Sequence, residues 1–378
     1  MKVADRIAFD ARYTNDRYHG IGRFAFHLLE ALTNVAPESN FIVFRGKEPD
    51  SRFDWRQLSE RPNVEMHNGP WPLYRPQEQF EWYKILRRSR ADIFFSPYFP
   101  SPLLVSLPLV ITVHDLIFER YPAYMPWGWA RPYYRLMMTL STHRATRILT
   151  LSRATALDLS LFYKIPKEKI AVIPGGVDAN FGPLEDEQVR RHLKEKYGLA
   201  GPFILSVGVR RPHKNLVRLV HAFADLATSI PHQLVFIGTT DPRFPDEARI
   251  AVNQRQIGGR TRFLGWVPEA DLPGLYSLAS VFVIPSLVEG FGLAALEAMA
   301  CGTPVLAANS FSLPEVVADA ALLVDPSDQH AITEGLRLIL CDESLRQELT
   351  HAGRKRAAQF TWDHAAGMAL KLFEEALK

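Results

Sequence analysis

The stretch of residues 280–304 constrains the fold more than any other part of this chain. Residues 280–284 form a short apolar and β-branched run that ends at Pro285, as expected of a buried strand in a parallel sheet. A turn with two glycines follows, and residues 293–300 are strong helix formers that stop at the Gly-Thr-Pro of residues 302–304. The stretch therefore predicts a strand, a glycine-containing turn and a helix.

The turn and the start of this helix predict a binding site for an anion. Backbone N–H groups at a helix N-terminus have no partner within the helix, and the macrodipole adds about half a positive charge there. The residues whose N–H groups are freed in this way are Gly290, Phe291, Gly292 and Leu293. Glu289 precedes them, and Glu297 lies about five residues inside the helix, roughly 7 Å further along its axis. A diphosphate and a ribose are separated by a similar distance, so each end of a nucleotide-like ligand would meet one carboxylate.

The two glutamates and their neighbours resemble the signature of glycosyltransferase family 4. Gly-Phe-Gly follows Glu289, Glu297 opens the run Glu-Ala-Met-Ala-Cys-Gly-Thr-Pro-Val, and the resemblance covers almost the whole chain. It implies a retaining, metal-independent enzyme of the GT-B fold that needs no cofactor, because the nucleotide-diphosphate sugar is a substrate. The alternative is a solvated helix charge at Glu297 and a turn residue at Glu289. That interpretation suits isolated glutamates better than a pair with these glycines.

The alternation of strands and helices predicts two domains. At 378 residues the chain is too long for one ordinary core. Alternating βα segments fill the first half, stop at residues 174–178 and restart at Pro202. We therefore predict an α/β protein of GT-B architecture, with two doubly wound, Rossmann-like sheets that face each other across a cleft. The predicted domains are 1–177, on the acceptor side, and 178–359, which binds the donor; by resemblance, residues 360–378 cross back to the first.

Composition disfavours several classes of protein. Cys301 and Cys341 are too few for a disulfide framework, and no Cys/His spacing fits a metal site. The N-terminus is a charged strand rather than a signal peptide, and no run reaches the roughly 18 apolar residues of a membrane span. No helix-turn-helix, zinc or ribonucleoprotein pattern supports nucleic acid as a partner. We expect a cytoplasmic protein.

Charge is distributed unevenly along the chain. Residues 1–177 contain 24 Lys and Arg against 17 Asp and Glu, a balance of +7, and the rest contains 20 against 24, a balance of −4. The first half also has an aromatic and arginine-rich segment, residues 117–138, and a basic cluster, residues 84–90. These features predict peripheral contact with an anionic membrane on its inner face. The alternative is that the aromatic residues belong to the core and the charges to an ordinary surface.

Two features of the first half are candidates for contact with the donor. Gly20 and Gly22 follow a strand and open a helix; by resemblance this loop lies opposite the donor diphosphate, although a plain tight turn explains the glycines equally well. His114 follows the strand 109–113, and ligands bind beyond the carboxyl ends of strands in an open parallel sheet. A lone histidine there is more often structural. The run 112–116, however, resembles the family segment whose histidine faces the donor sugar.

The loop after the first strand of the second half supplies candidate cations. A diphosphate brings about two negative charges, which protein cations must neutralise because the sequence has no metal motif. By resemblance, Lys214 is the lysine of this loop, which begins at Gly208. Many family members have an arginine directly after the glycine, where this chain has Val209. Arg210 or Arg211 would have to substitute, and we favour Arg210.

The resemblance also implies roles for the remaining site residues. Glu297 would bind the ribose hydroxyls and Glu289 the sugar hydroxyls, and the backbone near Val267 would border the base. His114, Lys214 and Glu289 are the candidate catalytic residues. No side chain need be a covalent nucleophile, because the leaving diphosphate can assist the incoming hydroxyl on the same face of the sugar.

The predicted reaction is transfer of mannose from GDP-mannose to a lipid-linked or oligosaccharide acceptor in bacterial surface polysaccharide synthesis, such as that of lipopolysaccharide. The segments 112–118 and 214–216 resemble bacterial polysaccharide mannosyltransferases. UDP-glucose and dTDP-rhamnose are alternative donors. A nucleotide-sugar epimerase, a phosphorylase and a silent binding subunit are alternative functions of the same architecture. The family signature argues against the epimerase, the lack of a recognisable pyridoxal-phosphate lysine argues against the phosphorylase, and the full set of site residues argues against the silent subunit.

Overall fold

The chain forms two compact units. The computed structural model describes residues 4–15, 19–47, 52–70, 76–125 and 128–378. The N-terminal unit comprises Met1–Gly176 and Thr361–Lys378, and the C-terminal unit comprises Val177–Phe360. The predicted boundaries, after residues 177 and 359, each lie one residue from these.

The N-terminal unit is built on a seven-stranded sheet in which every pair of neighbouring strands is parallel. Its strands are β1 (Arg6–Ala11), β2 (Asn40–Arg45), β3 (Val64–Asn68), β4 (Ile93–Ser96), β5 (Leu109–Val113), β6 (Arg147–Thr150) and β7 (Ile170–Val172). Its first six helices are α1 (His19–Val35), α2 (Trp55–Ser59), α3 (Pro76–Ser89), α4 (Ile117–Arg120), α5 (Ala130–Arg144) and α6 (Arg153–Tyr163). The strand order is β3-β2-β1-β4-β5-β6-β7, so the direction of winding reverses between β1 and β4.

The C-terminal unit repeats this plan on a six-stranded parallel sheet. Its helices are α7 (Glu187–Tyr197), α8 (Leu216–Leu226), α9 (Glu247–Gln254), α10 (Leu272–Leu278), α11 (Leu293–Ala300), α12 (Leu313–Val317), α13 (Gln329–Cys341) and α14 (Glu343–Ala357). Its strands are β8 (Phe203–Val207), β9 (Gln233–Ile237), β10 (Thr261–Gly265), β11 (Val281–Ile284), β12 (Val305–Ala308) and β13 (Leu322–Val324). The order is β10-β9-β8-β11-β12-β13, and the winding reverses between β8 and β11.

Apolar sequence patterns explain why these segments fold as they do. The strand β5 is an unbroken run of Leu, Val, Ile, Thr and Val, and all five residues are buried, as in a sheet covered on both faces. The helix α8 has apolar residues at helical spacing, and they are buried against the sheet at positions 216, 219, 220 and 223. The helix α11 ends before Gly302, whose φ of +80° lies in the left-handed region that favours glycine. The α/β class and the doubly wound plan are therefore confirmed.

The last helix, α15 (Trp362–Ala376), belongs to the N-terminal unit. The Trp362 ring stacks on His27 of α1 with ring centroids 5.5 Å apart, and Phe373 meets Phe95 of β4 at 5.3 Å. Gly176 makes room for the turn into this helix, because a Cβ there would lie 2.4 Å from the backbone nitrogen of Trp362. The chain thus returns to the first unit where the resemblance implied that it would.

No helix within the described ranges combines the length and the apolar character that a membrane crossing requires.

Candidate active site

The reversal of winding in the C-terminal sheet brings two predicted site residues together. Lys214 follows β8 and Glu289 follows β11, and these neighbouring strands end at the same edge of the sheet. The Lys214 Nζ lies 2.6 Å from Glu289 Oε1. Ser286 Oγ donates a second hydrogen bond of 2.6 Å to the same oxygen. In an open α/β sheet ligands bind in the crevice at this point, so the pair occupies the expected position.

The Glu289 carboxylate is ionised despite its burial. The side chain is almost fully buried, with 9% of the residue exposed. Burial raises its pKa, but the charge of Lys214 and the hydrogen bonds from Lys214 and Ser286 outweigh burial and lower the pKa overall. A buried carboxylate and a partly exposed ammonium group therefore stabilise each other at neutral pH.

Backbone geometry holds the two loops of this pair together. Asn215 has a positive φ of 57°, and its side-chain amide donates to the Pro285 carbonyl at 3.0 Å and to the Pro326 carbonyl at 2.7 Å. The Leu287 N–H donates to the His213 carbonyl at 2.8 Å. The loop with Lys214 is thus fastened to the loop with Glu289, which fixes the position of both side chains.

The start of α11 presents free backbone donors beside Glu289. Within the described residues, the N–H groups of Phe291, Gly292 and Leu293 donate to no protein oxygen. Ser312 Oγ donates to the carbonyls of Glu289 and Phe291 at 2.6 and 3.1 Å, so both carbonyls already accept a hydrogen bond from this side chain. Gly292 has a φ of +102°, which a residue with a Cβ adopts only under strain. This geometry suits a phosphate group.

Gly290 and Gly208 complete the predicted turns around the pair. Gly290 lies between Glu289 and the free donors and is partly exposed. Gly208, directly after β8, has a φ of +142°, and a Cβ there would lie 3.9 Å from Lys214 Nζ. Glycine at this point leaves the space beside the lysine open.

The two candidate arginines are already engaged in ion pairs. Arg210 Nε and Nη2 each lie 3.2 Å from the Asp246 carboxylate, and Nη1 donates to the Gly238 carbonyl at 2.5 Å. Arg211 donates to Asp241 at 2.9 Å and is one-third exposed. Arg210 would have to leave two acceptors to reach a phosphate. Lys214 is itself paired with Glu289, but it lies beside the open space at Gly208, so Lys214 and the backbone donors are the groups best placed to meet one.

The predicted contacts to ribose and base lie further from the surface. Glu297 is 2% exposed, and Tyr276 of α10 donates to its Oε2 at 3.0 Å. Val267 is also buried, whereas its neighbour Trp266 is 61% exposed just beyond the end of β10. Sequence reasoning named the backbone at this position and missed the exposed indole.

In the N-terminal unit, His114 lies just beyond the end of β5. Its Nε2 donates to the Pro97 carbonyl at 2.8 Å, which leaves Nδ1 as the acceptor of a neutral ring. Its ring meets Phe24 at 5.0 Å and Tyr98 at 6.3 Å between centroids. Burial lowers the pKa of His114 to about 4, against which the hydrogen bond to Pro97 acts weakly. His114 is therefore an uncharged hydrogen-bonding group at neutral pH.

Gly20 and Gly22 both lie in the first turn of α1, which begins at His19. A Cβ at Gly22 would lie 3.2 Å from the Tyr13 carbonyl oxygen, so this glycine permits a close approach of the helix to the turn after β1. Gly20 has no atom within 4 Å of such a Cβ. The structure thus gives Gly22 a packing role and leaves the space beside Gly20 open.

Comparisons with known proteins match both units. The family "Glycosyltransferase Family 4" matches residues 18–181, and "Glycosyl transferases group 1" matches residues 189–356. The O-antigen chain mannosyltransferase B of Escherichia coli is 29% identical over an alignment of 369 positions, which covers 94% of this chain and 96% of that protein. The MMP alpha-(1->4)-mannosyltransferase of Mycolicibacterium hassiacum is 30% identical over an alignment of 420 positions, which covers 98% of this chain and 98% of that protein.

A solved structure supports the fold. The sucrose-phosphate synthase from Thermosynechococcus elongatus superimposes with a TM-score of 0.75 at 23% identity, and the match covers 98% of each chain.

Proposed function

Because this chain belongs to glycosyltransferase family 4 and is a hexosyltransferase, we propose that it transfers mannose from GDP-mannose with retention at the anomeric carbon. The observation that carries the proposal is the Lys214–Glu289 pair beside the free N–H groups of α11, at the reversal of the C-terminal sheet. The names of two relatives, one an O-antigen chain mannosyltransferase, favour mannose and a polysaccharide or lipid-linked acceptor.

The donor diphosphate is proposed to bind at the start of α11. The backbone donors of residues 291–293 and the Lys214 ammonium group would meet phosphate oxygens as charge-assisted hydrogen bonds. These contacts strengthen as negative charge develops on the leaving diphosphate, so they lower the barrier to breaking the glycosidic bond. Arg210 would join them only by leaving Asp246. We propose that the reaction needs neither metal nor cofactor, and EDTA should leave the turnover unchanged.

The sugar and the nucleoside would use the remaining predicted residues. Glu289, ionised and acceptor-only, would bind sugar hydroxyls, and neutral His114 would accept from a sugar hydroxyl at Nδ1. Glu297 would bind the ribose hydroxyls once its contact with Tyr276 opens, and the backbone at Val267 would border the base. The incoming hydroxyl of the acceptor would give its proton to an oxygen of the leaving diphosphate, which makes a protein nucleophile unnecessary.

Calorimetry with the three nucleoside diphosphates tests the choice of donor. We expect GDP to bind the wild-type protein more tightly than UDP or dTDP, because only GDP is a product of the proposed reaction. Glu297→Ala should weaken GDP binding, whereas a change of the exposed Arg191 to Ala should not. Tight UDP or dTDP binding without GDP binding would replace GDP-mannose by UDP-glucose or dTDP-rhamnose.

We further propose that the N-terminal unit contacts an anionic membrane through α3, α5 and the loop between β4 and β5. Of the fifteen exposed large hydrophobic side chains among the described residues, seven lie on these elements: Phe80, Tyr83, Leu104, Trp129, Tyr133, Leu136 and Leu140. Trp129, which directly precedes α5, and the three exposed residues of α5 are spaced by four, three and four positions. They therefore lie along one face of the helix. A face of this kind is typical of helices that lie in a membrane interface.

Three contacts join these elements into one surface. Gln79 Oε1 of α3 accepts from the Leu103 N–H at 2.6 Å, and Arg144 of α5 donates to the Leu107 carbonyl at 3.1 Å. Glu78 of α3 lies close enough to Tyr133 of α5 for its negative charge, together with burial, to raise the pKa of Tyr133. Lys84, Arg87 and Arg88 of α3 and Arg131 of α5 are exposed as well.

The structure divides the predicted aromatic segment into two parts. Tyr124 and Tyr134 are buried and belong to the core, as the alternative interpretation held. Trp129 and Tyr133 are exposed, and residues 126 and 127 lie outside the described residues. The membrane proposal therefore depends on the exposed part and on the basic residues of α3.

Vesicle co-sedimentation tests the membrane proposal. Each basic side chain near an anionic leaflet contributes about 1 kcal/mol, so binding to phosphatidylglycerol vesicles should be reversible and weakened by salt. Arg87→Glu with Arg88→Glu should abolish it, whereas Arg191→Glu with Lys194→Glu in α7 should not. Absence of binding even at low salt, or a dimer in solution that buries Trp129, would overturn the proposal.

A further inference from the structure

A second pocket lies at the opposite edge of the C-terminal sheet from the Lys214–Glu289 pair. Its volume is about 1000 Å³. It is bordered by Pro202, Ser280 and Pro304, which directly precede the strands β8, β11 and β12. One face of α14 forms its wall, with residues at positions 343, 346, 347, 350, 351, 354 and 355. The pocket is thus formed within the C-terminal unit, at the amino ends of its strands.

The wall of this pocket has an excess of positive charge. Arg354, Lys355 and His351 are exposed, and within the described residues none of them has an ion-pair or hydrogen-bond partner. Arg346 forms an ion pair with Glu343, the acidic residue of the lining. Arg354 and Lys355 both line the pocket without counterions, so together they attract an anion.

A buried histidine adds an unsatisfied hydrogen-bonding group to the same pocket. His232 is 9% exposed, and its Nδ1 is buried without a partner among the described residues. Arg260 fixes the backbone there, since it donates to the carbonyls of Ala227 and Ile230 at 2.7 Å and to that of His232 at 3.1 Å. A buried polar atom without a partner costs free energy, which an oxygen of a ligand would recover once a rotation of the ring turned Nδ1 towards the pocket.

We propose that this pocket binds a phosphate monoester of a small polyhydroxylated molecule. Arg354 and Lys355 would neutralise the phosphate dianion, and His232 would donate to one of its oxygens. The side chains of Gln347 and Thr350 line the remaining space and can exchange hydrogen bonds with hydroxyl groups. The volume is several times that of a phosphate ion, so phosphate alone would fill only part of the pocket.

The position of α14 couples this pocket to the start of α11. Gly353 of α14 lies against Met299 of α11 so closely that a Cβ there would be 3.1 Å from Met299 Cγ. The aliphatic stem of Arg354 lies over Gly302, at the end of α11, where a Cβ would be 3.9 Å from Arg354 Cδ. These contacts are with the last turn of α11, so a ligand that shifts α14 would reach the proposed donor site only by moving α11 along its length. This coupling rests on the proposed function, whereas the binding itself does not.

Calorimetry without any nucleotide tests the binding. Mannose 6-phosphate should bind the wild-type protein more tightly than inorganic phosphate, and mannose should not bind. Arg354→Gln with Lys355→Gln should weaken the binding of mannose 6-phosphate by about tenfold or more, as expected for the loss of a charged hydrogen bond. The control variant Lys194→Gln with Lys371→Gln also removes two positive charges, but outside this pocket. It should leave the affinity for mannose 6-phosphate unchanged.

Each other outcome has a fixed meaning. Equal binding by both double variants, or no binding of mannose 6-phosphate by the wild type, would overturn the proposal. Tighter binding of inorganic phosphate than of the ester would overturn the assignment to a phosphate monoester. If the first double variant melts early, Lys355→Gln alone, at an exposed position, carries the same test. Once binding is established, an unchanged affinity for GDP at saturating mannose 6-phosphate would refute the coupling between the two sites. Glu289→Gln, which changes only the proposed donor site, should still bind mannose 6-phosphate.

Discussion

The two sheets reverse their winding at equivalent points, yet they place different chemistry there. In the C-terminal unit the reversal lies between β8 and β11, and it holds the charged pair of Lys214 and Glu289 at 2.6 Å. In the N-terminal unit it lies between β1 and β4, where Tyr13 and Tyr98 meet with ring centroids 5.2 Å apart, near the uncharged His114. The C-terminal edge is therefore ionic, whereas the N-terminal edge is lined by aromatic and neutral groups and keeps the ion pair of Arg12 with Asp10 fully buried.

This difference separates what topology decides from what side chains decide. Parallel βα winding decides where a crevice forms, and it does so equally in both units. The residues directly after the strands decide which ligand fits: a cation and free N–H groups suit a diphosphate, whereas aromatic rings and a neutral imidazole suit a sugar. Function therefore has to be argued from these residues and not from the fold.

The largest expected effect comes from removing the cation of the ionic edge. Lys214→Ala should lower kcat by on the order of 10² or more, because the leaving diphosphate loses a donor that acts in the transition state. Arg211→Ala, which removes a cation paired with Asp241 on the next loop, should change kcat far less. Steady-state kinetics of the two variants measures the difference, and unchanged turnover in Lys214→Ala would refute the diphosphate assignment.

Backbone packing should also distinguish the two edges. Gly238, after β9, has a φ of +120°, and a Cβ there would lie 2.2 Å from the Gly208 carbonyl oxygen. Gly238→Ala should therefore cost about 1–3 kcal/mol in backbone strain alone, with more for the overlap. Gly20→Ala in the N-terminal unit, where no atom lies within 4 Å, should be nearly neutral. Thermal melting checks both, and equal melting temperatures would contradict the packing described here.

A smaller effect is expected at the neutral edge. His114→Ala should lower kcat/KM by about tenfold, which corresponds to one hydrogen bond between a sugar hydroxyl and a neutral acceptor. His143→Ala, at an exposed histidine of α5, provides the matched control. A loss as large as that of Lys214→Ala would show that the neutral edge contributes as much as the ionic one.

The smallest effect is expected from pH above 6.5. His114 is already neutral there, since its pKa is about 4, so kcat/KM should show no titration of this residue between pH 6.5 and 8. Its pKa in the folded chain lies below the value of about 6.5 in the unfolded chain, so the unfolded state binds the proton first and stability falls as pH drops from about 6.5 towards 4. The melting temperature of His114→Gln should fall less steeply than that of the wild type as the pH drops over this range. Equal slopes for the two proteins would contradict the lowered pKa of His114.

Local patterns allowed the fold to be predicted well. The strand β5 and the helix α11 begin and end where β-branched runs and the glycine stop place them. These signals lie within a dozen residues, so one sequence suffices to recognise them. Lys214 and Glu289 were both placed after strands from the sequence, but their pairing at 2.6 Å was not predicted.

The contacts that support the site could not be predicted in this way. The Asn215 amide binds the Pro326 carbonyl, 111 residues later, and Arg210 binds Asp246, 36 residues later. Such pairs depend on how loops from different strands converge, and no local pattern encodes that. Ser286 is the exception, since a serine three residues before Glu289 in a turn could have been proposed as its partner.

The release of nucleoside diphosphate from a panel of nucleotide sugars tests the central claim most directly. The wild-type protein should release GDP from GDP-mannose in the presence of a mannose-containing oligosaccharide acceptor, and the new bond should keep the anomeric configuration of the donor. Lys214→Ala should reduce this release by on the order of 10² or more. No release from GDP-mannose, UDP-glucose or dTDP-rhamnose, or equal release by wild type and variant, would contradict the account.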